Sequence, residues 1–292
     1  MDRRQHRENQ TTKIMAAAAF CHPTRLMRRV SKGHEVTFFF LLVSFVFGDF
    51  MKAFWWFKEN SIAGMARPGF NSVRWFDLPF DEAVLLGWLG QYSEGPAPLK
   101  GLEHHLQTYV PKIYKYHKLD EASGRQATQI LKTHSGVLSV LQELNSRLHV
   151  VDLFHIENDH LHFTLSEEIL NKEINFLKTN EIRNVITLTE RHHQKDILGS
   201  HFSTHHISIV DLGAPNLDQA KHLAEIVTAA NKNKEKLAVH CLAGIGRTST
   251  MLIAAHILMG ESLRDLEVLI AKQNPYFALS GPQADFLRTI KV

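Results

Sequence analysis

The chain has little cysteine for its length, with only Cys21 and Cys241 among 292 residues. A disulfide framework normally shows several cysteines, so a small disulfide-stapled secreted scaffold is excluded. Cys241 lies within a glycine-containing loop pattern, and we expect no bridge between it and Cys21. Because free thiols are typical of reducing compartments, we expect a cytoplasmic protein.

An excess of charge of one sign is also missing from most of the chain. Residues 1–50 hold 8 of the 33 Lys and Arg and 4 of the 30 Asp and Glu, which leaves 25 basic and 26 acidic residues at 51–292. Nucleic-acid-binding domains usually carry a clear basic excess, so we expect no nucleic-acid partner. With 44% hydrophobic and 22% charged residues, the chain can bury a sizeable core.

Long apolar runs are absent as well. Residues 36–47 are mostly apolar, but a membrane-spanning helix needs about 20 such residues. The run resembles the hydrophobic region of a signal peptide, although the basic segment before it is longer than such peptides have. Three interpretations of residues 1–50 stay open: a signal or membrane anchor, a buried segment, and an extension upstream of a natural start at Met51. Only the interpretation as a signal or membrane anchor implies secretion or membrane association.

Strand-like and helix-like patterns alternate in the second half of the chain, and two short strands flank a turn at Glu59 and Asn60. Strands are predicted at 184–188, 207–210 and 236–240, and helices at 166–177, 217–231, 248–258, 263–272 and 283–290. Ser166 is the predicted N-cap of the first of these helices. This order predicts an α/β fold, with a central, mostly parallel sheet flanked by helices. We assign residues 51–292 to this domain.

Residues 70–163 interrupt the predicted domain with a largely helical insertion. Helical spacing is found at 81–89, 102–116 and 122–148, and a hairpin is predicted from 149–155 and 161–165. Two interpretations stay open for the insertion. It is either a cap that selects substrates or binds a protein partner, or a subdomain that only packs on the sheet.

The stretch from His240 to Thr250 reads His-Cys-Leu-Ala-Gly-Ile-Gly-Arg-Thr-Ser-Thr, between a predicted strand and a predicted helix. A thiol becomes a good nucleophile when positive potential lowers its pKa below the free value of ~8.5. The helix amino end and the charge of Arg247 supply such potential. A buried structural cysteine is the simpler interpretation, but it does not account for Arg247 and both glycines together.

The same loop is suited to holding a phosphate group. Its backbone N–H groups can surround phosphate oxygens, and a guanidinium grips two of them at once. The candidate substrate-binding residues are Leu242, Ala243, Gly244, Ile245, Gly246 and Arg247.

This stretch resembles the signature His-Cys-x-x-Gly-x-x-Arg-Ser/Thr of the protein tyrosine phosphatase superfamily. Its form is most similar to the atypical dual-specificity phosphatases and the related cell-division-cycle phosphatases. The resemblance covers roughly residues 166–292, with an amino-terminal part at 54–68, and includes the segments 187–190, 209–211 and 280–287.

The resemblance implies a two-step reaction. Cys241 would attack phosphorus to form a phosphocysteine, Asp211 would protonate the leaving oxygen, and water would then hydrolyse the intermediate. Thr248 would stabilise the thiolate, Gln283 would orient the water, and His240 would support the loop. No cofactor is implied.

Asp218 is an alternative to Asp211 as the general acid. Residues 216–218 read as the start of a helix, so we prefer Asp211.

The uncharged side chains of Leu242, Ala243 and Ile245 favour a phosphoprotein over a phosphoinositide, because tensin-type lipid phosphatases place lysines there. Phosphotyrosine is the expected substrate, with phosphoserine and phosphothreonine left open. The alternatives are a lipid phosphatase, a phosphotyrosine-binding module without turnover, and a reductase or sulfurtransferase with a similar loop.

Nineteen histidines raise the question of a metal site, above all those at 192–193, 201 and 205–206. Zinc ligands need defined spacing, and adjacent histidines on a strand point to opposite faces. We therefore predict no metal.

Overall fold

The computed structural model describes residues 51, 53–71, 97–98, 142, 151–158, 160–274 and 277–291. Residues 1–50 lie outside this set, as do the helices predicted at 81–89, 102–116 and 122–148 apart from position 142.

A five-stranded sheet forms the centre of the described fold. Its strands are β1 (Phe54–Lys58), β2 (Ile62–Met65), β6 (Ile182–Thr187), β7 (Ser203–His206) and β8 (Lys236–His240). They lie in the order β1-β2-β8-β6-β7. Only β1 is antiparallel to its neighbour, because it forms a hairpin with β2 through the predicted turn. The predicted mostly parallel sheet is confirmed.

Helices cover both faces of this sheet. One face carries α1 (Glu167–Thr179) and the short α2 (Lys195–Gly199), which pack on apolar side chains of β2, β6 and β8. The other carries α3 (Leu217–Asn233), α4 (Gly246–Leu258), α5 (Leu263–Gln273) and α6 (Gly281–Thr289). Helix α4 is buried on all sides from Arg247 to Ile257, because it lies between the sheet and the other helices. Among the helices that the structure describes, none is long and apolar enough to cross a membrane.

Two predicted boundaries were wrong. The strand expected at 207–210 is found at Ser203–His206 instead. Because it is an edge strand, it tolerates polar side chains. Its sequence therefore lacks the hydrophobic pattern on which the prediction relied. Ile207 and Ile209 are buried, but they follow the strand and begin the connection to α3. Helix α4 starts at Gly246, two residues before the predicted start, so Arg247 belongs to its first turn.

The predicted hairpin is confirmed as β4 (Val151–Glu157) and β5 (His160–Leu165), which pair antiparallel. Strand β3 (Ala97–Pro98) pairs with β5 and completes a three-stranded sheet within the predicted insertion. After β5 the chain enters α1 directly, with Ser166 as the predicted N-cap.

The segment that leaves β2 toward the insertion is fastened to α1. Glu173 of α1 is fully buried, and its carboxylate accepts hydrogen bonds from the backbone N–H of Gly69 (2.7 Å) and of Asn71 (3.1 Å). The side-chain amide of Asn71 donates a third bond at 3.1 Å. The point of exit is thus fixed to helix α1.

Candidate active site

The strand–loop–helix unit β8–α4 carries Cys241 at the carboxyl edge of the sheet. Residues 241–247, here named the Cys–Arg loop, connect the end of β8 to the first turn of α4. Ile245 is the N-cap of α4, and its side chain caps no backbone N–H group. The amino end of this helix therefore offers N–H groups to an anion, as buried helix starts do at phosphate sites.

Cys241 is a buried free thiol with an altered acidity. Burial by itself raises the pKa of this thiol, but the charge of Arg247 and hydrogen bonds from Thr248 and Ile245 outweigh burial. The net result is a pKa below the ordinary value. The hydroxyl of Thr248 is buried and has no other partner among the residues that the structure describes, so it is available to the sulfur. Such a thiol is suited to act as a thiolate nucleophile.

Strands β1 and β2 and the residues that follow β2 contact the Cys–Arg loop and hold it in place. The backbone N–H of Arg67 donates to the carbonyl of Leu242 (3.0 Å), and the indole N–H of Trp55 donates to the carbonyl of Gly244 (3.3 Å). Gly244 has φ +74°, and a Cβ there would lie 2.5 Å from the carbonyl carbon of Met65. Only glycine fits this position, because both the backbone angle and the close approach exclude a side chain.

Arg247 is buried and faces the connection between β7 and α3. One of its terminal nitrogens lies 2.9 Å from a carboxylate oxygen of Asp211, and the other donates to the carbonyl of Ile209 at 3.1 Å. Asp211 keeps 48% of its side-chain surface exposed, so it lies at the rim of the site. Asp218 lies in the first turn of α3, 93% exposed and 3.9 Å from Lys221.

The connection that carries Asp211 is tied down at several points. The backbone N–H of Asp211 donates to the carboxylate of Glu190 at 3.3 Å. From α6, Ser280 donates to the carbonyl of Leu212 (2.9 Å), and the amide of Gln283 donates to the carbonyl of Gly213 (3.0 Å). These bonds hold Asp211 near Arg247.

Gln283 also borders the Cys–Arg loop. Its side-chain oxygen accepts from the backbone N–H of Ser280, and it would lie 2.9 Å from a Cβ placed on Gly246. The residue predicted to orient water is therefore beside the loop, with both ends of its amide engaged.

His240 is fully buried behind Cys241. The pKa of His240 is lowered to about 3, mainly by burial. A hydrogen bond to the carbonyl of Cys241 opposes this shift, and the charge of Arg67 adds to it. A carbonyl only accepts, so Nδ1 carries the proton and donates to Cys241 (3.2 Å), while Nε2 accepts from the hydroxyl of Thr187 (2.9 Å). A neutral histidine thus supports the loop.

The structure brings together the residues that the sequence analysis preferred for the site, whereas the alternative acid Asp218 is exposed on α3. The supporting residues Trp55, Glu190 and Ser280 were missed as contacts. Ser280 and Gln283 form a capping box, a pattern that is visible in the sequence. Trp55 lies 189 positions before its partner Gly244, and no local pattern reveals such a contact.

Residues 164–261 match the family model described as "Tc-R-P: Polymorphic toxin system, DSP-PTPase phosphatase". Similar solved structures include Tk-PTP in its active form, with 20% identity, 40% of this chain and 82% of that chain covered, and a TM-score of 0.37. PTPMT1 in complex with PI(5)P has 22% identity, with 40% and 81% covered and a TM-score of 0.37. Human DUSP28 has 12% identity, with 39% and 80% covered and a TM-score of 0.34.

The part of the chain that carries Asp211 and the Cys–Arg loop is thus similar to the phosphatase domain that this family model describes.

Proposed function

We propose that this protein hydrolyses phosphotyrosine in proteins through a phosphocysteine on Cys241. The observation that carries the proposal is the placement of a buried free thiol at the start of the Cys–Arg loop, with Arg247 in the first turn of α4 close enough for its charge to lower the pKa of the thiol. A thiolate held beside a guanidinium and free N–H groups is arranged to attack an anionic phosphoryl group.

In the first step the sulfur of Cys241 forms a bond to phosphorus while the bond to the tyrosine oxygen breaks. A proton from Asp211 neutralises the leaving phenolate, so tyrosine departs as the phenol. This role for Asp211 is supported by the distance of 2.9 Å between its carboxylate and Arg247, the residue proposed to grip the phosphate. Asp218 points into solvent on α3 and is a poor candidate.

In the second step water attacks the phosphocysteine, and Asp211 takes up a proton from it. Phosphorus then bears the new oxygen, and the thiolate of Cys241 is released. Thr248 would stabilise that thiolate through its otherwise unpartnered hydroxyl. Gln283 would orient the water after its amide leaves the carbonyl of Gly213, and its position next to Gly246 supports this role.

Arg247 would hold the phosphate throughout both steps. A guanidinium has five N–H donors. Two of them contact Asp211 and Ile209, which leaves donors for a phosphate without breaking the pair with the acid. The uncharged side chains of Leu242, Ala243 and Ile245 provide no further charge for additional phosphates, which favours a protein substrate over a phosphoinositide.

The direct test compares the native chain and Cys241→Ser on a generic aryl phosphate, phosphotyrosine, phosphoserine and phosphothreonine peptides, and phosphoinositide vesicles. We expect turnover that depends on Cys241 and is fastest for phosphotyrosine. Rapid acid quench and mass spectrometry should find one phosphoryl group on the peptide that contains Cys241. Faster turnover of phosphoinositide would reassign the substrate, and activity in Cys241→Ser would refute the mechanism. Binding of phosphotyrosine without turnover would indicate a recognition module.

A further inference from the structure

We propose that the β4–β5 hairpin holds a divalent transition-metal ion between His155, Glu157 and His162. This hairpin lies outside the Cys–Arg loop, in the segment predicted as the insertion. The ligand atoms of these three side chains lie within 4.8 Å of one another.

The hairpin register brings the three groups to one face. His155 is paired directly with His162, and Glu157 follows His155 by two positions, so their side chains lie on the same side of the strands. The two imidazole rings are stacked, with centroids 4.7 Å apart and an interplanar angle of 11°. His160, opposite Glu157, is instead hydrogen-bonded through Nδ1 to the carbonyl of Asn158 (2.7 Å) and is not counted among the ligands.

No hydrogen bond or ion pair in the described part of the chain explains why these three side chains lie so close together. Within the described part of the chain, none of the three side chains makes a hydrogen bond or an ion pair. His155 and Glu157 are exposed and His162 is partly so, which leaves an ion free to enter from solvent. Two imidazoles and a carboxylate are a donor set that zinc uses in proteins, with a fourth position left for water or another ligand.

The three ligand atoms need to approach one another only slightly to bind one ion. Zinc–nitrogen and zinc–oxygen bonds of about 2.0–2.2 Å place tetrahedral ligand atoms roughly 3.4 Å apart. Side-chain rotation of exposed residues can close the remaining distance without moving the strands. A bound ion would then link β4 to β5 and fix the register of the hairpin.

Sequence reasoning missed this site because it considered the histidines at 192–193, 201 and 205–206. The stacked pair His155 and His162 is separated by seven positions and meets only across a hairpin. The relevant signal is the cross-strand pairing, which depends on the turn between the two strands.

The test uses the full chain carrying Cys241→Ser, so that the active-site thiol does not bind the metal. Isothermal titration with Zn²⁺ and the visible absorption of bound Co²⁺ are measured for this parent. The same two measurements are made on three variants of this parent. The first is the double variant His155→Gln and His162→Gln, the second is Glu157→Gln, and the third is His222→Gln. His222 is a matched control, because it lies 3.8 Å from Glu225 on α3 but belongs to no group of three ligand side chains in the described part of the chain.

We expect one ion per parent chain, with the intense Co²⁺ absorption of a four- or five-coordinate site. Loss of ligands should weaken binding by at least about tenfold, and His222→Gln should leave it unchanged. Zn²⁺ should raise the melting temperature of the parent but not that of the double variant. Circular dichroism without metal checks that each variant is folded. Equal affinity in the parent and the double variant, or an equal loss with His222→Gln, would overturn the proposal.

Discussion

Replacing Gly244 with alanine tests how closely the Cys–Arg loop lies against strand β2. At φ +74° an alanine is strained by roughly 1–2 kcal/mol. In addition, its Cβ would lie 2.5–2.6 Å from the backbone at residues 65 and 66. Favourable carbon contacts are at about 3.5–4.0 Å, so the loop must move by about 1 Å. A displacement of that size at reacting groups lowers turnover by on the order of 100-fold.

Gly260→Ala is the matched control for this substitution. Gly260 also has a positive φ, +96°, but a Cβ there meets nothing within 4 Å. It follows the opposite end of α4, about 20 Å from the Cys–Arg loop. The control should therefore carry the backbone strain alone, lowering the melting temperature by roughly 2–8 °C.

The assay is kcat on an aryl phosphate, together with the melting temperature of each variant. We expect Gly244→Ala to lose about 100-fold in kcat at a temperature where it is still folded, and Gly260→Ala to keep the native kcat. Equal kcat values in the two variants would refute the argument from close approach.

Three further predictions concern the site and its support. Asp211→Ala should lower kcat roughly 10²–10⁴-fold and Asp218→Ala should not; the reverse result in steady-state kinetics would reassign the acid. Thr248→Ala should raise the pKa of the thiol, seen as a shift to higher pH in its alkylation profile, whereas Ser249→Ala should leave the profile unchanged. Because the pKa of His240 is about 3 when folded and ~6.5 when unfolded, acid favours the unfolded chain. Denaturant titrations should find up to about 5 kcal/mol of stability lost between pH 6.5 and 3, and His240→Asn should flatten that slope; an unchanged slope would contradict the assignment.

Local sequence patterns predicted the features of this fold that have a local cause. The apolar strand before Cys241, the cap at Ser166 and the turn at Asn60 are each set by a few neighbouring residues. The edge strand at 203–206 was missed because its side chains are polar and its pairing partner lies nineteen positions earlier.

The candidate site was also predicted only in those parts that have a local cause. The residues of the Cys–Arg loop are adjacent in sequence and were found together. The bonds that hold this loop and Asp211 come from Trp55, Arg67 and Ser280, which the fold alone brings near. Those distant contacts follow from the packing of the whole sheet, which no single window of sequence contains.

The carboxylate of Glu173 affects how far the chain between β2 and β5 can change in length. It holds the chain where it leaves the sheet, at Gly69 and Asn71, and α1 begins directly after the chain returns through β5. Exit and re-entry are therefore anchored on one helix, and a Cβ on Gly69 would lie only 3.2 Å from Leu165. Each doubling of the length of a closed loop costs only about 0.6 kcal/mol. A change in the length of the chain between Asn71 and β5 should therefore cost little free energy, as long as Glu173 keeps its bonds to Gly69 and Asn71.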